Sequence, residues 1–90
     1  MFVGAMILPA IAAADVKIGI ILGFTGPIES LTPDMAAGAE MAIAEVNKSN
    51  LFMGGKIKGV RADSTCIDSA AASAAAERLI TSDKVNAIMG

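Results

Sequence analysis

The chain of 90 residues contains no histidine, tryptophan or tyrosine, and its only aromatic side chains are three phenylalanines. Without imidazole, it lacks the usual general base and the commonest zinc ligand. Its nine acidic and seven basic residues give a net charge of -2, and no basic cluster supplies the cationic surface of a nucleic-acid-binding protein. One cysteine, Cys66, can form neither an internal disulfide nor a cysteine-rich metal site. These absences exclude most small catalytic, metal-binding and nucleic-acid-binding domains.

Hydrophobic residues make up 54% of the chain and are concentrated near its start, where residues 1–14 carry no charge. This segment is shorter than the roughly 20 residues that cross a bilayer. It ends in Ala12-Ala13-Ala14, which matches the small residues of a signal cleavage site. We interpret residues 1–14 as an export signal without the usual basic start. A buried strand or an interfacial anchor is the alternative. The mature, extracytoplasmic domain would then span residues 15–90.

The first half of that domain predicts a strand followed by a helix. The run 16–22 is almost continuously hydrophobic, as in a strand covered on both faces of a parallel sheet. Thr32-Pro33-Asp34 predicts a helix start, with Thr32 as the capping residue. The predicted buried stripe of this helix consists of Met35, Ala39, Ala42, Ile43 and Val46.

The second half repeats the pattern. Residues 56–63 alternate between polar and apolar and predict an edge strand. Asp68 is predicted to cap a second helix, and residues 85–90 predict a third strand. The order strand-helix-strand-helix-strand predicts an α/β fold with a parallel sheet and right-handed crossovers. The predicted buried stripe of the second helix consists of Ala72, Ala75, Ala76, Leu79 and Ile80.

Two loops follow the first two strands, at the edge where open α/β sheets bind ligands. In loop 23–31, Gly26-Pro27 predicts a turn. Neither of the glycine-rich phosphate-binding motifs, G-x-G-x-x-G and G-x-x-x-x-G-K-[ST], is present. Ser30 and Thr32 could offer hydroxyl groups and amides to a carboxylate, or they could serve only the turn and the helix cap.

The other loop contains Cys66, for which three roles are open. A metal site with Asp63 and Asp68 would combine hard and soft ligands without histidine, and a nucleophilic cysteine would lack a histidine partner. A structural cysteine, either buried or disulfide-bonded, is the favoured interpretation. In an exported protein its partner would lie beyond Gly90 or on another chain.

Three segments, in order, resemble the branched-chain amino-acid-type periplasmic binding proteins. The first is the strand and loop 16–27, and the second matches that family's G-A-E-x-A-x-x-x-x-N helix at residues 38–47. The third matches its D-x-x-C-x-x-x-x-A-A segment at residues 63–72, and Gly90 matches a strand-closing glycine. The resemblance therefore covers almost all of residues 16–90.

This resemblance implies the first part of lobe I of a type I periplasmic binding protein, with sheet order 2-1-3 and helices on opposite faces, hence three layers. It implies the extracytoplasmic solute-binding component of an ABC importer, with a membrane permease as its partner. The ligand would be a branched-chain amino acid, another amino acid, an amide or a urea-like molecule. No catalytic residue, metal or cofactor is implied.

The same resemblance identifies candidate site residues. Where some family members place an aromatic side chain against the ligand, this chain has Glu29, Ser30 and Leu31. The main family contacts come from loops after the third strand and from the second lobe. Cys66 matches a family cysteine that often pairs with one shortly after the third strand.

Two other functions compete with this one. A Rossmann-like or flavodoxin-like nucleotide-binding enzyme domain would need a phosphate-binding glycine pattern after the first strand, which is absent. A sensor or receptor domain of the same fold would differ only in its genomic neighbours, because a permease and an ATPase accompany a transporter.

Three strands are too few to complete such a fold, and nothing covers the far edge of the third. We therefore infer that the chain is the N-terminal part of a longer protein. Residues 15–90 expressed alone should aggregate or remain molten, as judged by circular dichroism during heating. A sharp, reversible melting transition would contradict this expectation.

Overall fold

A computed structural model describes residues 15–50 and 54–90, so the predicted signal at residues 1–14 lies outside the described part. The described chain forms a three-stranded parallel sheet in the order β2-β1-β3, which confirms the α/β class and the predicted strand order. None of its helices is both long and apolar enough to cross a membrane. The elements are β1 (Val16–Leu22), α1 (Thr32–Ser49), β2 (Ile57–Asp63), α2 (Ser69–Thr81) and β3 (Ala87–Met89).

β1 is the central strand and pairs along its whole length with β2, from Val16 opposite Ile57 to Leu22 opposite Asp63. β2 therefore lies at an edge of the described sheet, as its alternating pattern predicted. β3 is shorter than predicted and pairs with only three residues of β1.

The shorter third strand has a local cause at its start. The Val85 amide donates to the carbonyl of Leu79 (3.0 Å) and so belongs to the turn that ends α2. Asn86 then pairs with Lys17 through its backbone N–H (2.7 Å) and its side-chain Oδ1 (2.9 Å). Since a side chain replaces one backbone partner, regular pairing begins only at Ala87.

The two helices lie on opposite faces of the sheet. Gly19 and Ile20 are successive residues of β1 and point to opposite sides, and each faces a different helix. On one face, a Cβ at Gly59 would lie 3.2 Å from the side chains of both Ile20 in β1 and Ile43 in α1. On the other, a Cβ at Gly19 would lie 2.8 Å from Leu79 of α2. The two glycines let each helix approach the sheet closely, which gives the predicted three layers.

α2 buries nearly the predicted face. Ala75 and Leu79 are buried with Ala62, and Ile21, Val60 and Val85 pack around them. The predicted cap is confirmed, since the Asp68 carboxylate accepts hydrogen bonds from two amides of the first turn. Ile80 was predicted to be buried but is 58% exposed. The face of α2 that contacts the sheet includes Leu79, and the next residue around the helix already turns toward solvent.

The face that α1 turns to the sheet matches the predicted one only in part. Thr32 and Ala36 are its buried residues, whereas Met35 is 54% exposed and Ala42 is also exposed. The predicted cap was also wrong, because Leu31 is the capping residue and makes no side-chain cap bond. The Thr32 hydroxyl points inward instead. The inward-facing row therefore comprises positions 32, 36, 39, 43 and 46, of which the last three were predicted.

Asn47 connects the end of α1 to the start of β2. Its side-chain amide donates to the carbonyl of Ile57 (2.9 Å), and its Oδ1 accepts from the amide of the same residue (2.8 Å). The carboxamide thus takes the place of a neighbouring strand at this edge. α1 ends two residues later, and Asn50 adopts the left-handed conformation that commonly closes helices.

Replacing Leu79 with alanine should destabilise the fold by about 2–5 kcal/mol, because a fully buried side chain would leave a cavity beside Gly19. Thermal unfolding of the complete product of the gene would measure this loss. Ile80→Ala is the matched control, since it removes an exposed aliphatic side chain from the next position. Equal melting temperatures for the two variants would contradict this packing.

Candidate functional site

The candidate site is the edge of the sheet where β1 and β2 end. Because the strands are parallel and in register, the loops that follow them, 23–31 and 64–68, leave the sheet side by side. The Ser64 amide extends the pairing by donating to the carbonyl of Leu22 (2.9 Å). Ligands of open α/β sheets bind at this edge.

The Asp63 carboxylate joins the two loops. Its Oδ1 accepts hydrogen bonds from the amides of Phe24 (2.9 Å), Thr25 (3.2 Å) and Thr65 (2.9 Å). Its Oδ2 accepts one from the Thr25 hydroxyl (2.6 Å). These bonds, above all the one from the Thr25 hydroxyl, lower the pKa of Asp63 below its ordinary value of 3.8. The carboxylate is therefore ionised at neutral pH.

Two glycines allow the loops to touch. A Cβ at Gly23 would lie 2.9 Å from the Cβ of Cys66. A Cβ at Gly26 would lie 2.7 Å from the carbonyl oxygen of Thr65, and Gly26 has a φ of +106° that other residues rarely adopt. The Gly26-Pro27 turn predicted from the sequence therefore also provides a contact between the loops.

Thr32 connects loop 23–31 to the start of α1. It is fully buried, and its hydroxyl donates to the carbonyl of Gly23 (3.0 Å). The amides of Leu31 and Thr32 both donate to the carbonyl of Ile28. The loop is thus held at both ends, by Asp63 near its start and by Thr32 where the helix begins.

The three predicted ligand residues lie at the exposed end of this loop. Glu29 and Ser30 are exposed, and Leu31 is 60% exposed. Glu29 Oε1 accepts a hydrogen bond from the amide of Gly26 (3.1 Å), so only its other oxygen is uncommitted within the turn. The three residues together present a carboxylate, a hydroxyl group and an aliphatic side chain. Their role in ligand binding stays a prediction.

Cys66 is exposed and has a free thiol. It has a φ of 72°, and the preceding Thr65 has a φ of 58°, so two consecutive residues are left-handed. Beside it is an open groove of about 320 Å³ lined by Ser64, Cys66, Ile67, Asp68, Ser69 and Ala72.

The metal interpretation of this loop finds no support in the structure. Asp63 and Asp68 each accept hydrogen bonds from backbone amides, in different turns. Residues 15–50 and 54–90 contain no group of three acidic or cysteine side chains arranged to hold a metal ion.

An ion pair beside the site was not predicted from the sequence. Arg61 donates from Nε and Nη2 to the two carboxylate oxygens of Glu40, each at 2.8 Å, and this hydrogen bonding lowers the pKa of Glu40. The guanidinium also lies 5.3 Å from the centroid of the Phe24 ring. The alternating pattern of β2 placed Arg61 on one face but could not identify its partners.

Replacing Thr32 with valine should destabilise the protein by about 1–3 kcal/mol, because the buried bond to the Gly23 carbonyl would be lost. Thr32→Ser is the matched control, since it retains the hydroxyl and removes only a methyl group. Chemical denaturation of the complete gene product would compare them. A valine variant more stable than the serine variant would contradict this role.

Comparison with known proteins agrees with this fold. The model of a family described as periplasmic binding protein matches residues 15–90. Over 79 residues, 88% of this chain, it is 38% identical to Leu/Ile/Val-binding protein homolog 7 of Brucella abortus (strain 2308), and the match covers 19% of that protein. An amino acid binding protein of Pseudomonas aeruginosa is also 38% identical over 88% of this chain, which corresponds to 21% of its own length.

A second Brucella abortus protein, Leu/Ile/Val-binding protein homolog 8, is 37% identical over 88% of this chain, and the match covers 19% of that protein's length. The chain spans about a fifth of the length of these curated relatives. The match starts at residue 15 and includes all five elements of the described sheet. The chain belongs to the periplasmic binding protein family.

Proposed function

We propose that this chain is part of the ligand-binding lobe of the extracytoplasmic solute-binding component of an ABC importer, and that the ligand is a branched-chain or related amino acid. The observation that carries the proposal is the joining of loops 23–31 and 64–68 at the ligand-binding edge of the sheet. The names of the relatives, which include Leu/Ile/Val-binding and amino acid binding proteins, support the ligand class.

The chemistry of the loop end suits an aliphatic amino acid. The exposed side chain of Leu31 offers an apolar contact, and the Ser30 hydroxyl can pair with a polar group of the ligand. The second carboxylate oxygen of Glu29 can attract an ammonium group, since the first accepts the Gly26 amide. Closure of a second lobe would bury the ligand and supply further contacts.

Binding and release require no catalytic group, so we propose that the protein is not an enzyme. The family match favours a binding protein over a nucleotide-dependent enzyme. A phosphate-binding site would also need free amides after β1, whereas the Phe24 and Thr25 amides donate to Asp63.

The family implies an extracytoplasmic location, where the signal proposed at residues 1–14 would direct the protein. A membrane permease would receive the ligand from the closed protein. In this oxidising compartment we propose that Cys66, whose thiol is exposed, forms a disulfide with a cysteine encoded beyond Gly90. Mass spectrometry of the exported protein without reduction would identify this bond.

Isothermal titration calorimetry on the complete gene product tests the ligand. We expect saturable binding of L-leucine, L-isoleucine or L-valine, and no binding of ATP or NAD. Leu31→Ala should weaken binding roughly tenfold through the loss of an apolar contact. Met35→Ala, which removes an exposed side chain one turn further on, should leave the affinity unchanged.

Tight nucleotide binding without amino-acid binding would contradict the proposed function. Selective binding of an amide or of urea would contradict the amino-acid ligand but leave the solute-binding role in place. A gene neighbourhood without a permease and an ATPase would favour a sensor over a transporter.

A further inference from the structure

We propose that Asp63 is a positioning residue for ligand binding, because its carboxylate holds loop 23–31 in the shape that presents Glu29, Ser30 and Leu31. The ligand-binding part of this inference rests on the proposed function. The bonding of Asp63 does not, since it depends only on the described residues.

Asp63 is the last residue of β2 and lies directly opposite Leu22, the last residue of β1. From this position its side chain reaches the first residues of both loops. The amides of Phe24 and Thr25 approach it from one side and the amide of Thr65 from the other. Within residues 15–50 and 54–90, no other side chain accepts hydrogen bonds from both loops.

A continuous series of bonds leads from this carboxylate to the predicted ligand residues. Asp63 fixes Thr25 through both its amide and its hydroxyl group. The next residue, Gly26, donates its amide to Glu29 Oε1 and accepts the Glu29 amide at its carbonyl (3.2 Å). The direction in which the chain enters the turn therefore determines where the carboxylate of Glu29 and the residues after it lie.

The same carboxylate also shapes the cysteine loop. The Thr65 amide donates to Asp63 Oδ1 two residues earlier, which closes a tight turn. Thr65 and Cys66 are left-handed in that turn, and Cys66 lies against Gly23. One side chain thus orients both the ligand loop and the proposed disulfide residue.

Replacing Asp63 with asparagine or with alanine tests whether its hydrogen-bond acceptor atoms hold the loops. Asparagine retains Oδ1 as an acceptor for the three amides, and its NH₂ group can donate to the Thr25 hydroxyl oxygen. Alanine removes these acceptors and leaves the Thr25 and Thr65 amides without their protein partner, whereas the Phe24 amide keeps the Leu22 carbonyl (3.0 Å). Asp63→Asn should therefore rescue what Asp63→Ala loses.

Asp68→Ala is the matched control variant. Asp68 is also a loop carboxylate that accepts two backbone amides, but its bonds go to Ala70 and Ala71 in the first turn of α2. Its removal destabilises the protein without releasing loop 23–31. A general loss of stability would therefore affect the Asp68 and Asp63 variants alike, whereas a positioning role would affect only the Asp63 variant.

The test titrates L-leucine into the complete gene product and its three variants. Asp63→Ala should raise the Kd roughly tenfold or more, and the asparagine and Asp68→Ala variants should stay within about threefold of wild type. Wild-type affinity in Asp63→Ala would overturn the proposal. An equal loss in Asp68→Ala would also overturn it, because stability alone would then explain the effect.

Amide hydrogen exchange of the same proteins without ligand keeps the two proposals distinguishable. Asp63→Ala should speed exchange at Thr25 and Thr65 roughly tenfold or more, with Ile20 in β1 unchanged and with recovery in Asp63→Asn. If wild type does not bind leucine while these amides respond, the substrate assignment fails and the positioning role stands. Unchanged exchange at these amides would overturn the positioning role whatever the ligand.

Discussion

The parallel pairing of β1 with β2 is the interaction on which the rest of the structure depends. The pairing runs over seven residues from Val16 and Ile57 to Leu22 and Asp63, so the two strands end at the same level. This brings loop 23–31 beside loop 64–68. It also places Asp63 where one carboxylate can accept hydrogen bonds from amides of both loops. A shift of one residue would turn Asp63 to the other face and separate the loops.

The close approach of both helices follows from small residues on the paired strands. Gly19 makes room for Leu79 on one face, and Gly59 makes room for Ile43 on the other. The core is accordingly built from alanine and aliphatic side chains, with no buried aromatic residue among those described. This explains how a chain with three phenylalanines forms its layers. The candidate site is shaped by backbone contacts and hydrogen bonds between the loops rather than by large side chains.

The fold class and most element boundaries could be predicted from patterns in the sequence, whereas the strand order came from the resemblance to periplasmic binding proteins. The hydrophobic run of β1, the alternation in β2 and the Asp68 cap depend on neighbours in the chain, and local patterns record such neighbours well. The prediction was wrong for the first turn of α1, where Met35 was expected inside and Thr32 was treated as a cap. A hydrophobicity pattern cannot register that a threonine is buried because its hydroxyl reaches the carbonyl of Gly23.

By itself, the sequence determined that the chain forms an α/β parallel sheet, that it lacks histidine-based chemistry, and which loops follow the carboxyl ends of β1 and β2. These properties follow from composition and from periodicities of a few residues. Only the tertiary structure decided that Asp63 joins the two loops across 38 or 39 positions of sequence and that Arg61 pairs with Glu40 across 21. Hydrogen bonds between distant residues require specific distances and angles, and no local pattern encodes these before the sheet brings the partners together.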